Sequence, residues 1–299
     1  MHSFAKKILI FLSGLTLFIS IIRLIFIKEP HYNVQIIDKN IIAKGNIQTD
    51  EKYCKSIKSY LNFVIMESNS MILKLDILEK KLKSGDLKKA QKNYIQAHHH
   101  YEAIRPIIIL FRNIDRIINV RSDYFLNGVI DYRFKGFHLI EYQLFIRKNI
   151  KEALNATNQL LINLRDLKKR ISIENLDIID LIQASSDFIE MILKTKLIGK
   201  ENIYSLSDLN DIAANLRGSK EAVMVLSPFI EKKILFPILQ NYKKSNDILS
   251  RYKLPGGEYK SHNQLSTKDK MAFYSILSQQ AEFLSVLRSQ LDVNLYHKY

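Results

Sequence analysis

Cysteine is nearly absent from this chain. Cys54 is the only one in 299 residues, which excludes an internal disulfide and any paired-cysteine zinc or redox site. In a helical pattern it reads as a small buried hydrophobe. Glycine and proline are also scarce, nine and five residues, so the chain has few places to turn and long uninterrupted elements are expected. No glycine-rich dinucleotide or phosphate loop, no HExxH and no GxSxG pattern occurs, so the common signatures of catalysis are missing. No stretch combines low hydrophobicity with enough bias to suggest a disordered tail.

What is present is apolar and basic. Hydrophobic residues make up 47% of the chain, ample for a sizeable core. Lysine and arginine number 45 against 30 acidic residues, a net charge of +15. Such an excess suits nucleic acid or an anionic membrane surface. Here the charges are dispersed, as in "LEKKLKSGDLKKAQKNY" and "LRDLKKRI", where they alternate with apolar residues at helical spacing. That is the pattern of solvated helix faces, and no nucleic-acid partner is expected.

The first thirty residues stand apart. Lys6 and Lys7 precede an apolar run from Ile8 to Ile27, broken only by Arg23 near its far end. Its first part would serve as a signal-peptide core, and the whole is long enough to span a bilayer. No Ala-x-Ala-like cleavage site follows and no cysteine lies nearby to accept a lipid. Arg23 can snorkel to the interface, so an uncleaved anchor is expected ahead of a cleaved signal peptide. The two lysines keep the N-terminus inside, which exports the remainder to the periplasmic side.

From Asp50 onward the periodicity is helical. "YCKSIKSYLNFVIMESNSMILKLDILEKKL" carries apolar residues at three- and four-residue intervals until Gly85. Asp86 is placed to cap a second helix that runs to a kink or end at Pro106. Further helices are expected from near Phe137, Lys151, Asn175, Ser207 and Leu235, and a last one from Ser266, where "STKD" forms a capping-box pattern. Strand signals are confined to "NVQIIDKNIIAK", residues 33–44. The reading is an all-α bundle of seven or eight helices, organised as residues 1–30 (anchor or signal), 31–48 (linker) and 49–299 (helical domain).

Three blocks carry a resemblance. The first, running through "GDLKKAQKNYIQAHHHYEAIRPIIILF", "IDRIINVRSDYF" and "FKGFHLIEYQLF", the second, "YSLSDLNDIAANLRGSKEAV", and the third, "RYKLPGGEYKSHNQLSTKDK", resemble the imelysin-like family, in particular its EfeO-type branch of periplasmic iron-uptake proteins. The resemblance covers residues 50–295, roughly the whole helical domain. It implies a double antiparallel helix bundle with a metal-binding groove. In longer members a cupredoxin-like domain precedes the bundles; here "NIIAKGNI" resembles only its last strand, so residues 31–48 read as a remnant.

Within those blocks His138 and Glu141 are three apart, so on a helix they share a face and can converge on one ion. Imidazole nitrogen with carboxylate oxygen suits iron, zinc or copper without choosing among them. The resemblance adds Glu102 as a metal ligand from another helix, and Asp115 as a further one. It also exposes departures. Arg105 stands where relatives carry a second carboxylate; a guanidinium cannot bind a cation and can pair with Glu102 at i,i+3. Ile109, Asn113, Asn119 and Ser122 also stand where relatives commonly carry acids, and Leu206 replaces a usual histidine. The consecutive His98, His99 and His100 point about 100° apart on a helix and cannot chelate together. His98 alone shares a face with Glu102, at i,i+4, and as a neutral ligand would favour zinc or copper. Asp208, Asp211, Asn215 and Gly218 match the family in the "YSLSDLNDIAANLRGSKEAV" block; of these, Asp208 is read as a cap and Asn215 as a helix-bridging amide.

The function these features imply is an exported metal-binding component of an iron, or other transition-metal, uptake system. It would deliver its ion to an inner-membrane iron permease, alongside a haem-type peroxidase. The alternative is a helical scaffold or interaction protein that kept the fold and lost the ion. A metallopeptidase is disfavoured, because the inverted H-x-x-E-H pattern would need a histidine where Tyr142 stands. The chain is therefore read as a non-enzyme.

Overall fold

Apolar side chains repeating every three or four residues bury one stripe of each helix, and two groups of helices form around those stripes. The structure, a computed structural model, describes residues 50–111, 113–173 and 176–291. The anchor or signal segment, the 33–44 strand signal and the linker lie outside the described residues.

The helices are α1 (Cys54–Lys83), α2 (Leu87–Glu102), α3 (Arg105–Ile109), α4 (Asn113–Ile118), α5 (Gly136–Tyr142), α6 (Ile150–Ile171), α7 (Ile178–Met191), α8 (Asp208–Leu226), α9 (Lys232–Ser250) and α10 (Thr267–Gln290). Among the described residues there is no strand, only an isolated bridge between Lys253 and Tyr259. The all-α double bundle is therefore as expected. The two helices beyond the expected number are α3 and α4, too short for periodicity to reveal. Pro106 sits in the first turn of α3, where its missing N–H costs nothing.

Helices α1, α2, α5 and α6 pack into one bundle and α7 to α10 into the other, with α8 lying against α2 and α1 where they meet. On α1 the buried stripe is Tyr60, Val64, Met71, Leu75, Leu78 and Leu82, each worth about 1.5–3 kcal/mol on burial. Cys54 opens α1 and is exposed, contrary to the buried reading. Among the described residues, four of the α-helices are capped at their starts by side chains. Asp86 accepts from the Lys89 amide and Asn149 from that of Glu152, both at 3.1 Å. Asp177 and Asp180 form a reciprocal box. At α10 only half of the expected box forms: Ser266 accepts from the Asp269 amide, but the Asp269 carboxylate takes the Tyr252 hydroxyl and Arg251 instead.

Two glycines set the helix spacing around the site. Gly136 begins α5 at φ +73°, and a Cβ there would lie 2.0 Å from the Ile118 carbonyl oxygen. On α8, a Cβ at Gly218 would lie 2.3 Å from the Ala103 carbonyl oxygen and 2.5 Å from Phe188. The first brings α5 onto the end of α4. The second brings α8 onto the end of α2.

Candidate metal centre

The close crossing at Gly218 sets the last turns of α2 against the first turns of α8. His98 and Glu102 share a face of α2 at i,i+4, and Asp211 and Asn215 do the same on α8. Asn215 Nδ2 donates to the Glu102 carbonyl (2.8 Å) and to its Oε2 (3.0 Å), tying the two helices together. His98 Nδ1 lies 3.2 Å from Asp211 Oδ2, outside hydrogen-bond geometry, and His98 Nε2 lies 3.1 Å from Asn119 Oδ1. One potential ligand atom from each of His98, Glu102 and Asp211 falls within 4.8 Å of the others, and all three residues are buried.

Two cations of the chain press into the same place. Helix α7 ends in a π-turn, Ile192–Lys196, which delivers Lys196 to the interior with no solvent exposure. Its Nζ is 2.9 Å from Glu102 Oε2, 3.7 Å from Asp211 Oδ2 and 3.9 Å from Glu201 Oε1. None of these contacts has hydrogen-bond geometry, so charge alone holds the ammonium. Arg105 does pair with Glu102 as its i,i+3 spacing suggested, at 3.1 Å, and pairs more closely with Glu201, at 2.6 Å.

The His138–Glu141 pair forms on α5, with Nδ1 2.9 Å from Oε2. The other carboxylate oxygen of Glu141 accepts the Tyr204 and Ser205 amides and the Ser205 hydroxyl, at 3.1, 2.8 and 2.8 Å. Glu141 thus clasps the loop between α7 and α8. It also turns His138 so that Nε2, buried and without a hydrogen-bond partner, points toward Glu201 at 3.8 Å. Asp115 faces elsewhere: it accepts the Tyr101 hydroxyl and lies 3.7 Å from Arg105 Nε. The structure therefore brings His98, Glu102 and Arg105 together and sets His138 beside them. Glu141 is engaged with the loop, and Asp115 stands behind Arg105. The other two histidines have separate partners, His99 on the Asn210 carbonyl and His100 on Glu67. Of the positions lacking acids, Asn119 and Ser122 hold contacts near the site, while the Asn113 side chain lies outside the described residues.

The loop itself is part of the centre. Leu206 adopts φ +57°, a left-handed conformation costly for a branched side chain, held by its amide on the Asn202 carbonyl and its carbonyl on the His262 amide. Asp208 does not cap α8 through its own first-turn amides. It accepts instead from the Glu201 and Asn202 amides, both at 3.3 Å. Burial, and then Asp211 beside it, push its carboxyl up to about 7. Burial also works against charge on Glu201, Asp211 and His138, and is overcome. Lys196 and Arg105 hold Glu201 well below the usual carboxylate range, and His98 and Lys196 lower Asp211. Glu141 and Glu201 raise His138 to about 9. A cavity of about 260 Å³ opens beside the cluster, lined by Arg105, Asn119, Arg121, Tyr124, Lys194 and Glu201 among others.

Residues 56–244 match the profile of the imelysin family. The chain belongs to that family. It is 31% identical over 264 residues, 85% of its length and 70% of theirs, to proteins named iron uptake system component EfeO from Shigella boydii serotype 4, Escherichia coli K12 and Shigella flexneri. In this imelysin-family chain the donor set fits a transition-metal ion, one imidazole with carboxylates. Buried polar atoms without hydrogen-bond partners at the cluster, His98 Nδ1, His138 Nε2 and Asp211 Oδ1, agree with that fit. Tyr142, at the position a peptidase histidine would need, packs its ring on Tyr204 at 5.2 Å.

Two residues of this imelysin-family site carry no assignment from the sequence, Lys196 and Glu201, and Asp211 is read there only as matching a block. For Lys196 a signal exists. Ile182, Ser185, Ile189 and Ile192 form the buried stripe of α7, and Lys196 continues it four residues on.

Proposed function

We propose that this chain is the exported, metal-carrying component of an iron uptake system, and that it passes its ion to a membrane permease. The observation that carries the proposal is the convergence of His98, Glu102 and Asp211 between the two bundles. The ion's ligands would be those three, with His138 Nε2 and Glu201 facing the same charge. Glu141 would act by orienting His138, and Asp115 by holding Arg105. An imidazole with carboxylates accepts iron, and zinc and copper as well. The cavity beside Arg105 and Glu201 would be the mouth. Export, tethering through the N-terminal segment, and partnership with an inner-membrane permease and a haem-type peroxidase complete the reading by analogy with relatives of this type. No catalytic role is proposed, since both Glu141 oxygens are engaged and Tyr142 is packed.

The alternative scaffold reading rests on one observation, the Lys196 ammonium 2.9 Å from Glu102. Titration of the metal-stripped full-length chain in detergent with an Fe³⁺ chelate, Zn²⁺ and Cu²⁺ separates the two. Saturable one-to-one binding, lost in His98→Ala and Asp211→Asn, is expected. No binding of any ion by a chain with intact helical circular dichroism would favour the scaffold.

A further inference from the structure

Three buried carboxylates, Glu102, Asp211 and Glu201, face one another at this crossing, and bare carboxylates at such distances repel strongly away from water. The chain supplies its own counter-charge. Lys196 is the group that sits among them, within 2.9–3.9 Å of all three and with no solvent exposure. Its position coincides with the ligand triad. The same Glu102 and Asp211 that converge with His98 are its two nearest partners. A metal ion and this ammonium cannot both lie between Glu102 and Asp211.

We propose that Lys196 is the resident cation of the centre, and that loading is an exchange in which the incoming metal ion takes the place of the ammonium between Glu102 and Asp211. The inference rests on the metal-carrying reading above and adds how the site is kept when empty. The geometry gives the ammonium somewhere to go. Glu201 Oε1, already 3.9 Å from Nζ, lies on the cavity side, so a small swing away from Glu102 keeps Lys196 paired. Arg105 and Arg121 also pair with Glu201 and would share that carboxylate after the exchange. Because the ammonium holds the helices together in the metal-free protein, the empty carrier need not open or unfold. Because it must be displaced by any ion, it lowers affinity for all of them and eases release to the next site.

The test compares wild type with Lys196→Met, Lys196→Gln and Lys196→Arg, each full-length, in detergent and metal-stripped, titrated with Zn²⁺ and with Fe³⁺–nitrilotriacetate, and followed also by thermal unfolding. The two neutral variants should bind roughly tenfold or more tightly than wild type, since no tethered cation competes. Their metal-free forms should melt lower than wild type and recover on adding metal, a larger metal-induced shift than wild type shows. Lys196→Arg, which keeps a cation, should not gain affinity. Equal affinity in wild type and the neutral variants would overturn the exchange and leave the carrier reading standing. Binding by none of the folded proteins would overturn the carrier reading itself. If Lys196→Met does not fold without metal, the Gln variant, which retains hydrogen-bonding capacity, decides the comparison.

Discussion

Helices α2 and α8 are joined by two charge clusters built from similar residue types to opposite ends. In the outer one, Glu67 on α1 accepts both Arg217 guanidinium nitrogens at 2.6 Å and the His100 ring at 2.8 Å. Arg217 also lies over the Phe63 ring and reaches solvent. Every strong contact there has hydrogen-bond geometry, and both Arg217 and His100 reach solvent. In the inner cluster, Glu102, Asp211 and Glu201 surround a Lys196 whose ammonium makes no contact of hydrogen-bond geometry with any of them, and several polar atoms are unmatched. A complete, bidentate cluster is a clamp, since its parts have nothing left to offer a ligand. An incomplete one, whose central ammonium is held by charge without directional bonds, can exchange that member. In this chain the two ion clusters differ in completeness, not in composition.

The largest effect should come from breaking the inner cluster. Glu102→Gln removes the nearest partner of a fully buried ammonium, and unfolding in denaturant should show a loss of about 3–5 kcal/mol. A loss under about 1 kcal/mol would mean that Lys196 readily finds water, and the contrast with the outer cluster would collapse.

Glu67→Gln should cost less, about 1–2 kcal/mol at neutral pH, because its partners Arg217 and His100 can turn to solvent. Its pH dependence is the sharper reading. Burial opposes the charge on Glu67, yet Arg217 and His100 draw its carboxyl down to about 2 from an ordinary 4.5. A depressed carboxyl contributes its full stability above pH 4.5 and loses it as pH falls toward 2. The gap between wild type and Glu67→Gln should therefore be constant above pH 4.5 and close below it. A gap that widens in acid would show that the clamp does not favour the carboxylate.

The smallest effect belongs to a pair with neither feature. Lys194 and Glu190 meet at 2.6 Å on an exposed helix face at i,i+4. Lys194→Ala should change stability by no more than about 0.5 kcal/mol, and a larger change would show that exposure is a poor guide here.

Much of this architecture can be read from periodicity and caps. The stripe of α1, the Asp86 cap and the Ser266 start are local properties, and local spacing reveals them. The five and six residues of α3 and α4 offer no full period, and Cys54 lies at a helix start where the face is decided by tertiary packing. At the site, the shared face of His98 and Glu102 is legible because both lie on one helix. So is the His138–Glu141 pair. That Glu141 spends an oxygen on the loop depends on amides more than sixty residues later, which no spacing rule reaches. Glu201 lies in that loop, where no periodicity applies. Lys196 is the instructive case: its place on the α7 stripe predicts burial, while "LKTKLIGKE" by composition reads as a solvated helix end.

The π-turn that carries Lys196 inward is, in effect, one residue more than a regular helix would need between Met191 and Leu197. Deleting Lys196 itself would let the turn tighten to a regular helix while Met191 and Leu197 keep their places. Within this lineage, then, the resident cation could be discarded or regained by a single-codon deletion or insertion in α7, without altering any carboxylate or histidine of the centre. A comparison of relatives that aligns only the ligands would score such a change as a harmless gap.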